Sequence, residues 1–548
     1  MSTRTRGIAL IMAFASVASA TTTMAATEEQ KLAAIQNGLA NLYNTQQPGG
    51  YWSFGGFEPA ATGAAVLAFA SQKDKWDSSN EAAYQGAVDN AVAYLLNNAT
   101  KTTVSLRNDG VNICPGGSGD CPAVYWNAAS NEDSYTTGLI MPALMTYAAG
   151  KAGEVATDSG PLAGMTWGEI AQANTNLWAA SQSTANQGNR QGGWRYVLGV
   201  GGYDSDMSTT QWGIISLIYN ETLGAITPAI VKTDLQLWLA AVQAADGSAC
   251  YQPGAQPCDH SDTGGLLLGL KFVGQNTADP AVQSALTFLN TNWTQTAFGT
   301  WYGNFGHPYA TWSVYKGLEV NIGLDDTIYI TNLYTDCGSS SGNLPGNPPG
   351  SKPCNWWEDY NEYLVNSQNA DGSWTGYSYW YGPLATAFYV NILGATSIPV
   401  AKEVPVDIHP TSCPNPINTQ SKGVTPVAIL GTEDFDVSSV DPATVQLLNP
   451  SLPEPQPAVA PLRWALEDVA TPYEPYVGKP VDAYACNEYD GDGYMDLTLK
   501  FKTQEVVGAL GAVSDRDVLV LELTGKLKEE FGGTDIVGED VVVILKKK

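Results

Sequence analysis

A unit of about 50 to 75 residues recurs six times along the first four hundred positions, and it limits the fold more than any other feature of the chain. Each unit has a turn, an aromatic residue and then a threonine that opens an apolar helix. The aromatic and threonine partners align as Trp52 with Thr62, Trp126 with Thr137, Trp194 with Thr210, Tyr251 with Thr263, Trp301 with Thr311, and Trp374 with Thr386. An amphipathic helix precedes the turn, as in KLAAIQNGLANLYNTQ from Lys31 or NEAAYQGAVDNAVAYLLNN from Asn80. Its apolar residues recur every three or four positions, which leaves one face for solvent. The second helices, such as Thr263 to Leu270, are apolar on all sides and rich in Gly and Ala. Helices of that kind belong inside. Six outer helices around six inner ones predict a mainly α chain, an α/α toroid of six helical hairpins. An open solenoid is the alternative, and six units with no polar capping repeat favour closure.

The best-formed unit is QGGWRYVLGVGGYDSDMSTTQWGIISL, from Gln191 to Leu217. Here the helix is expected to open at Ser208-Thr209-Thr210, where a hydroxyl caps the first free amides. The turns NADGSW and AADGSACY, each followed by a helix of the form T-G/A-x-x-x-L, resemble repeats of the prenyltransferase and squalene-cyclase superfamily. GGWRYVLGVGGYDSDMSTTQW resembles the secreted bacterial members, and the resemblance runs from about Thr27 to Pro399. It implies the toroid, but activity varies within the superfamily.

The ends of the chain read differently. Arg4 and Arg6, the apolar run Gly7 to Val17 and the small residues Ala18-Ser19-Ala20 fit a secretory signal over residues 1–20, with cleavage as late as Ala26 as a variant and a buried helix as the alternative. No other apolar run is long enough to span a bilayer. Residues 27–399 form the repeat region. From 400 to 548 the chain becomes rich in Val, Pro and Asp, with strand-like runs such as YMDLTLKF and DVVVIL, and predicts a small all-β domain. VDIHPTSCPNPINTQSKGVTPVAILGTEDFDVSSVDPATVQL resembles an accessory module at the C-termini of many secreted bacterial proteins. A secreted or periplasmic location follows, with cell-surface association in keeping with it.

The eight cysteines form sequence-local couples: Cys114 with Cys121, Cys250 with Cys258, Cys337 with Cys354, and Cys413 with Cys486. An even count behind a signal argues for disulfides. The alternative is a metal site, best placed at Cys258-Asp259-His260. Against 54 Asp and Glu stand 26 Lys and Arg, a net charge of −28, which repels nucleic acid. No Gly-rich phosphate loop suggests a nucleotide cofactor. In the β domain, Glu488, Asp490, Asp492 and Asp496 alternate around Gly493, the oxygen pattern of a Ca2+ loop. Glu488 departs from the usual Asp, and the alternative is an acidic turn.

The inner helices should point their N-terminal ends at one mouth. Glu58, Glu132, Asp133, Asp204, Asp206, His260, Asp262, His307 and Tyr309 would converge there, with Trp126, Trp194 and Arg195 beside them. Each carboxylate has a plain alternative as a helix cap. Together they suggest an axial cavity for an extracellular small molecule or polymer, a glycan or a lipid or isoprenoid, with paired acids for its processing. Class II terpene cyclases protonate an alkene with the middle acid of Asp-x-Asp-Asp. Asp204-Ser205-Asp206-Met207 keeps the first two acids, so the resemblance makes Asp206 the acid of a cyclase-like reading and Asp204 its partner, while Met207 replaces the third. Gly338-Ser-Ser340-Ser-Gly342 matches a serine-hydrolase elbow in letters only, since no strand precedes it. A purely structural surface protein is the third reading. A filled toroid axis would remove both ligand readings and leave it.

Overall fold

The computed structural model describes residues 26–546 except 118, 128–130, 185–187, 189, 199–203, 336–353, 433–434, 453–455, 488–489 and 529–534. The signal-like segment, Cys337, Glu488 and the Gly338–Gly342 loop lie outside the described residues.

Helices alternate through the first region: α1 (Glu28–Thr45), α2 (Glu58–Ser71), α3 (Glu81–Asn97), α4 (Asp133–Tyr147), α5 (Trp167–Ser181), α6 (Met207–Glu221), α7 (Ala229–Val242), α8 (His260–Phe272), α9 (Pro280–Asn292), α10 (Pro308–Ile322), α11 (Trp356–Ser367) and α12 (Pro383–Leu393). The even-numbered helices pack in sequence, α2 on α4, α4 on α6, α6 on α8, α8 on α10 and α10 on α12, and α12 returns to α2. The odd-numbered helices lie outside them, as with α3 on α2, α7 and α9 on α8, and α11 on α12. Glycine permits the close approach within the ring. A Cβ on Gly138 would stand 2.3 Å from the Cβ of Trp212, and one on Gly264 2.4 Å from the backbone of Ser313.

The recurring aromatic-threonine pair has a physical cause. The indole N–H of Trp52, Trp126, Trp194 and Trp374 donates to a carbonyl in the preceding outer helix: Leu42, Leu95, Trp178 and Leu364. The amide N–H of Trp52, Trp126 and Trp194 donates to the hydroxyl of Thr62, Thr137 and Thr210 at 3.1–3.2 Å. One residue thus ties an outer helix to the next inner one. Three units depart from this pattern; in the sixth, Trp374 keeps its indole bond but the Thr386 hydroxyl has no partner. In the fourth, a hairpin of β3 (Ala249–Gln252) and β4 (Ala255–Asp259) intervenes, and the amide of Ala249 meets Thr263. In the fifth, Trp301 is 37% exposed, and Thr311 bonds the Asn304 carbonyl instead. A second hairpin, β1 (Thr100–Val104) with β2 (Cys121–Tyr125), is inserted after α3.

Beneath the mouth the ring is packed. Trp212, Trp312, Phe388 and Leu139 leave a void of about 10 Å³. At the far end the chain leaving α12 crosses the ring. Gln72 donates to the Thr396 hydroxyl, Tyr315 to the Thr396 carbonyl and Tyr219 to the Ser397 carbonyl, while the Ile398 amide donates to Glu319.

The remainder is β-rich and has its own apolar core, from Val404 to Ile544. Its strands are β5 (Lys402–Glu403), β6 (Val406–Ile408), β7 (Asn415–Asn418), β8 (Val424–Ile429), β9 (Val440–Leu448), β10 (Ala458–Val459), β11 (Arg463–Glu467), β12 (Asp496–Lys502), β13 (Val518–Leu527) and β14 (Asp535–Leu545), with one helix, α13 (Thr503–Ala509). Among the described residues they form two sheets, β10-β9-β13-β14-β5 with β7 also along β14, and β11-β12-β8-β6.

Disulfides join Cys114 to Cys121, Cys250 to Cys258 and Cys413 to Cys486. The metal reading of Cys258-Asp259-His260 is therefore corrected: the thiol is consumed, and His260 Nε2 pairs with the Asn292 carbonyl at 2.9 Å. No helix among the described residues is long and apolar enough to cross a membrane.

Candidate functional site

A cleft opens at the N-terminal ends of the inner helices and has two chambers. The first, of about 350 Å³, is aromatic, with Phe54, Phe57, Tyr379, Trp380 and Tyr381 around it. The second, of about 210 Å³, is polar and reaches Ser208, Tyr251, Asp259, Asp262 and Tyr309. Tyr135, Tyr196 and Trp301 line both. Tyr379 and Tyr381 are 65% and 52% exposed, and Trp301 stacks on Tyr379 with ring centres 5.8 Å apart. A ligand can therefore meet aromatic faces before it meets polar groups.

The wall between ring and cleft is a hydrogen-bonded layer. Arg195 Nη1 pairs with Asp206 and donates to Tyr251 Oη at 2.7 Å; its Nε lies 3.5 Å from Asp204. Tyr251 and Tyr196 share a bond of 2.8 Å between their hydroxyls. Tyr135 donates to Ser208 Oγ, which donates to Asp206 Oδ1. Tyr309 donates to the Ser208 carbonyl and accepts from Gln211, and its ring lies parallel on Trp380 at 4.3 Å. Behind this layer Lys316 is buried, donates to Gln211 at 3.2 Å and lies 4.5 Å from the Trp212 ring centre; burial pulls its ammonium down to about 7.

Asp206 caps α6, and its carboxylate accepts the Thr209 amide at 2.8 Å. The cap is thus Asp206, ahead of the expected Ser208-Thr209-Thr210. With 0% exposure and Arg195 beside it, Asp206 does not reach the cleft. Burial pushes its carboxyl up, against the pull of Ser208, Arg195 and the Thr209 amide. Asp204 is held low: burial opposes this, but Arg190 at 2.7 Å, the Ser205 amide and Arg195 outweigh it.

The other expected residues fall into two groups. Asp262 and Tyr309 line the polar chamber, and Arg195 backs it. Glu132 lines the aromatic one. Trp126 and Trp194 are fully buried between helices, so they are corrected from ligand contacts to structural ties. Glu58 spends its carboxylate on the Phe54 and Gly56 amides. Asp133 is buried and accepts the Leu198 amide. His307 caps α10 through Nδ1, and burial lowers it to about 4, so it is neutral at pH 7.

Asp262 differs from the rest. It is 2% exposed, lines the polar chamber, and its Oδ1 has no hydrogen-bond partner. Burial, then repulsion by Asp259 and Asp206, pushes its carboxyl well above the usual range. Asp259, which caps α8, is pushed by burial to about 6. Sequence reading missed Asp259 as part of the cleft. It also missed Tyr135, Tyr196, Ser208 and the Tyr379-Trp380-Tyr381 run. That aromatic run, just before an inner helix, was the available signal.

In the β region, Asp496 is buried and accepts the Gly431, Val469 and Ala470 amides, while Asp468 accepts those of Asp492 and Gly493. Among the described residues no group of three or more His, Cys, Asp or Glu is placed to hold a metal ion.

No protein-family model matches the chain, and no curated protein matches it. Among solved structures, it is similar to a type II terpene cyclase from Scytonema in complex with geranylgeranyl dihydroxybenzoate, at 14% identity and a TM-score of 0.39, over 67% of this chain and 97% of that one. A Candida albicans protein geranylgeranyltransferase-I matches at 10% identity and a TM-score of 0.36, over 61% and 83%. A glycoside hydrolase family 76 mannosidase from Bacteroides thetaiotaomicron matches at 11% identity and 0.36, over 66% and 98%. Likenesses this distant carry no argument about chemistry, and the cleft has to be read from its own residues.

Proposed function

We propose that the chain is a secreted or periplasmic α/α toroid of six helical hairpins that binds and processes an extracellular ligand at its mouth. The packed axis removes the expected axial cavity and by that criterion favours a structural protein; the ligand reading rests instead on the cleft at the mouth. The observation that carries this reading is the pair of adjacent chambers sharing Tyr135, Tyr196 and Trp301, the first aromatic and the second lined by Asp262, whose Oδ1 has no partner. A glycan suits it, because a sugar ring offers an apolar face to Trp301 and Tyr379 and hydroxyls to the tyrosines and carboxyls. Asp262, kept neutral by its surroundings, is the group suited to donate a proton, and Asp259 is its partner. Asp206, held by Arg195, acts in this reading as a positioning residue for Arg195, Ser208 and Tyr251. A cyclase-like reading is the second, favoured by the apolar lining of the larger chamber and opposed by the burial of Asp206, its expected acid, away from the cleft.

A binding screen of the mature protein with soluble glycans and with prenyl lipids tests this. Glycan binding lost in Trp301→Ala supports the first reading and prenyl binding the second. No binding to either favours a structural protein. For the accessory domain we also propose Ca2+ at Asp490 and Asp492, without Asp496, whose oxygens are committed to amides. Calorimetry with Ca2+ and with chelator tests it: about 2.7 kcal/mol of stabilisation is expected at a hundredfold excess over the dissociation constant, and identical melting in both removes it.

A further inference from the structure

The β-rich region buries a second set of ionisable groups, with Asn487, just before the Asp490 loop, beside them. Asp407 on β6 and Asp540 on β14 are fully buried, with Asn415, Lys479 and Asn487 nearby. Asp540 is well bonded: its Oδ2 accepts the Ile408 amide at 2.6 Å and Asn415 Nδ2 at 2.8 Å, and Lys479 Nζ lies 3.8 Å from its Oδ1. Asp407 is not. The Thr411 backbone and the Asn487 side chain lie near enough to favour its ionised form, but neither of its oxygens has a partner in hydrogen-bonding geometry, and the Oδ1 atoms of Asn415 and Asn487 lack one too. Burial, then repulsion by Asp540, pushes the Asp407 carboxyl up to about 8, and burial takes Asp540 to about 7.

Two counts say what is missing. When ionised, Asp407 and Asp540 carry two negative charges against one positive charge on Lys479. Glu539 lies outside this balance, because its carboxylate takes the Gly478 and Lys479 amides at the edge of the cluster. One negative charge is left over, and an uncompensated buried charge is costly. A proton on Asp407 would restore neutrality but supply only one donor for several orphaned acceptors. A divalent cation would over-correct the charge. A monovalent hard cation matches both counts, since it neutralises one charge and accepts several oxygens at once.

We propose that a monovalent cation, with Na+ as its probe, binds at the buried Asp407 carboxylate and Asn487 Oδ1, beside Asp540, and holds β6 against β14. The test is calorimetry of the full chain in NaCl and in tetramethylammonium chloride at equal ionic strength, with a CaCl2 arm. The transition of the β region should rise in Na+ by about 3–6 °C. Asp407→Asn, which removes the surplus charge, should lose that response, and the double variant Asp490→Asn with Asp492→Asn should keep it. Coincident curves in Na+ and tetramethylammonium would overturn the proposal. So would a response to Ca2+ alone, or a Na+ response that survives in Asp407→Asn or vanishes in the loop variant. If Asp407→Asn does not fold, the unmodified protein in the two salts decides.

Discussion

Thr210 and Thr386 occupy the same place in two repeats, yet the same substitution should move stability in opposite directions. Thr210 Oγ1 accepts the Trp194 amide at 3.1 Å and donates to the Asp206 carbonyl at 2.6 Å. Thr386 is equally buried, but its hydroxyl has no partner. Valine keeps the shape and branching of both, so helix propensity largely cancels. In Thr210→Val the buried Trp194 N–H is orphaned, which costs about 1–3 kcal/mol. The added methyl returns up to about 0.8 kcal/mol. A net loss of about 1–2 kcal/mol is expected. In Thr386→Val an unpaired polar group disappears and an apolar one replaces it, so the change should be neutral or a gain of about 1 kcal/mol. Urea unfolding of the full chain, compared at equal slope, measures both. Equal shifts in the two variants, or a Thr210→Val protein as stable as the parent, would refute the account of the repeat as a hydrogen-bonded tie.

Arg195→Met should cost about 3 kcal/mol, because it leaves the Asp206 carboxylate buried without its partner; adding Asp206→Asn should recover most of the loss in the same assay. Asp262→Asn should raise stability at pH 7 and reduce ligand processing by about 100-fold. The sign follows from linkage: Asp259 and Asp262 titrate above the unfolded value of about 3.9, so the folded state holds extra protons and stability falls as pH rises from about 4 through about 6. The gain from Asp262→Asn should therefore grow with pH, and melting curves across that range check it. Removing Cys413–Cys486, which spans 73 residues, should cost about 4.4 kcal/mol, against about 2.5 kcal/mol for Cys114–Cys121, which spans 7; paired Cys→Ala variants give the comparison.

The helical ring was legible because each tie needs a particular side chain at a particular spacing. Only Trp reaches an outer-helix carbonyl through its ring while its amide meets the threonine. The signal slipped where the connection changed length. The β3-β4 hairpin passes the role of Tyr251 to Ala249 and sends Tyr251 to Arg195. Trp301, aligned as a tie, stands on the rim of the cleft. Cys114–Cys121 and Cys250–Cys258 were legible for the same reason of short span, whereas Cys413–Cys486, 73 residues apart, followed from the even count of cysteines. The cleft was only half legible. Acids before the inner helices were visible, but burial sorted them: Glu58 and Asp133 bond to amides, Asp206 pairs with Arg195, and Asp262 remains unpartnered. That sorting depends on neighbours from α4, α6, α8 and α10, which no local pattern displays.

The chain leaving α12 changes what the ring can do. Bonded to Gln72, Tyr219, Tyr315 and Glu319, it lies across the end of the ring remote from the cleft. The ring is therefore a dead-end vessel. A long polymer cannot thread through it and slide onward between events. If the proposed reading holds and the ligand is a polymer, it meets the cleft from one side only, and an assay should show distributive behaviour, with products of many chains appearing together and none consumed from end to end.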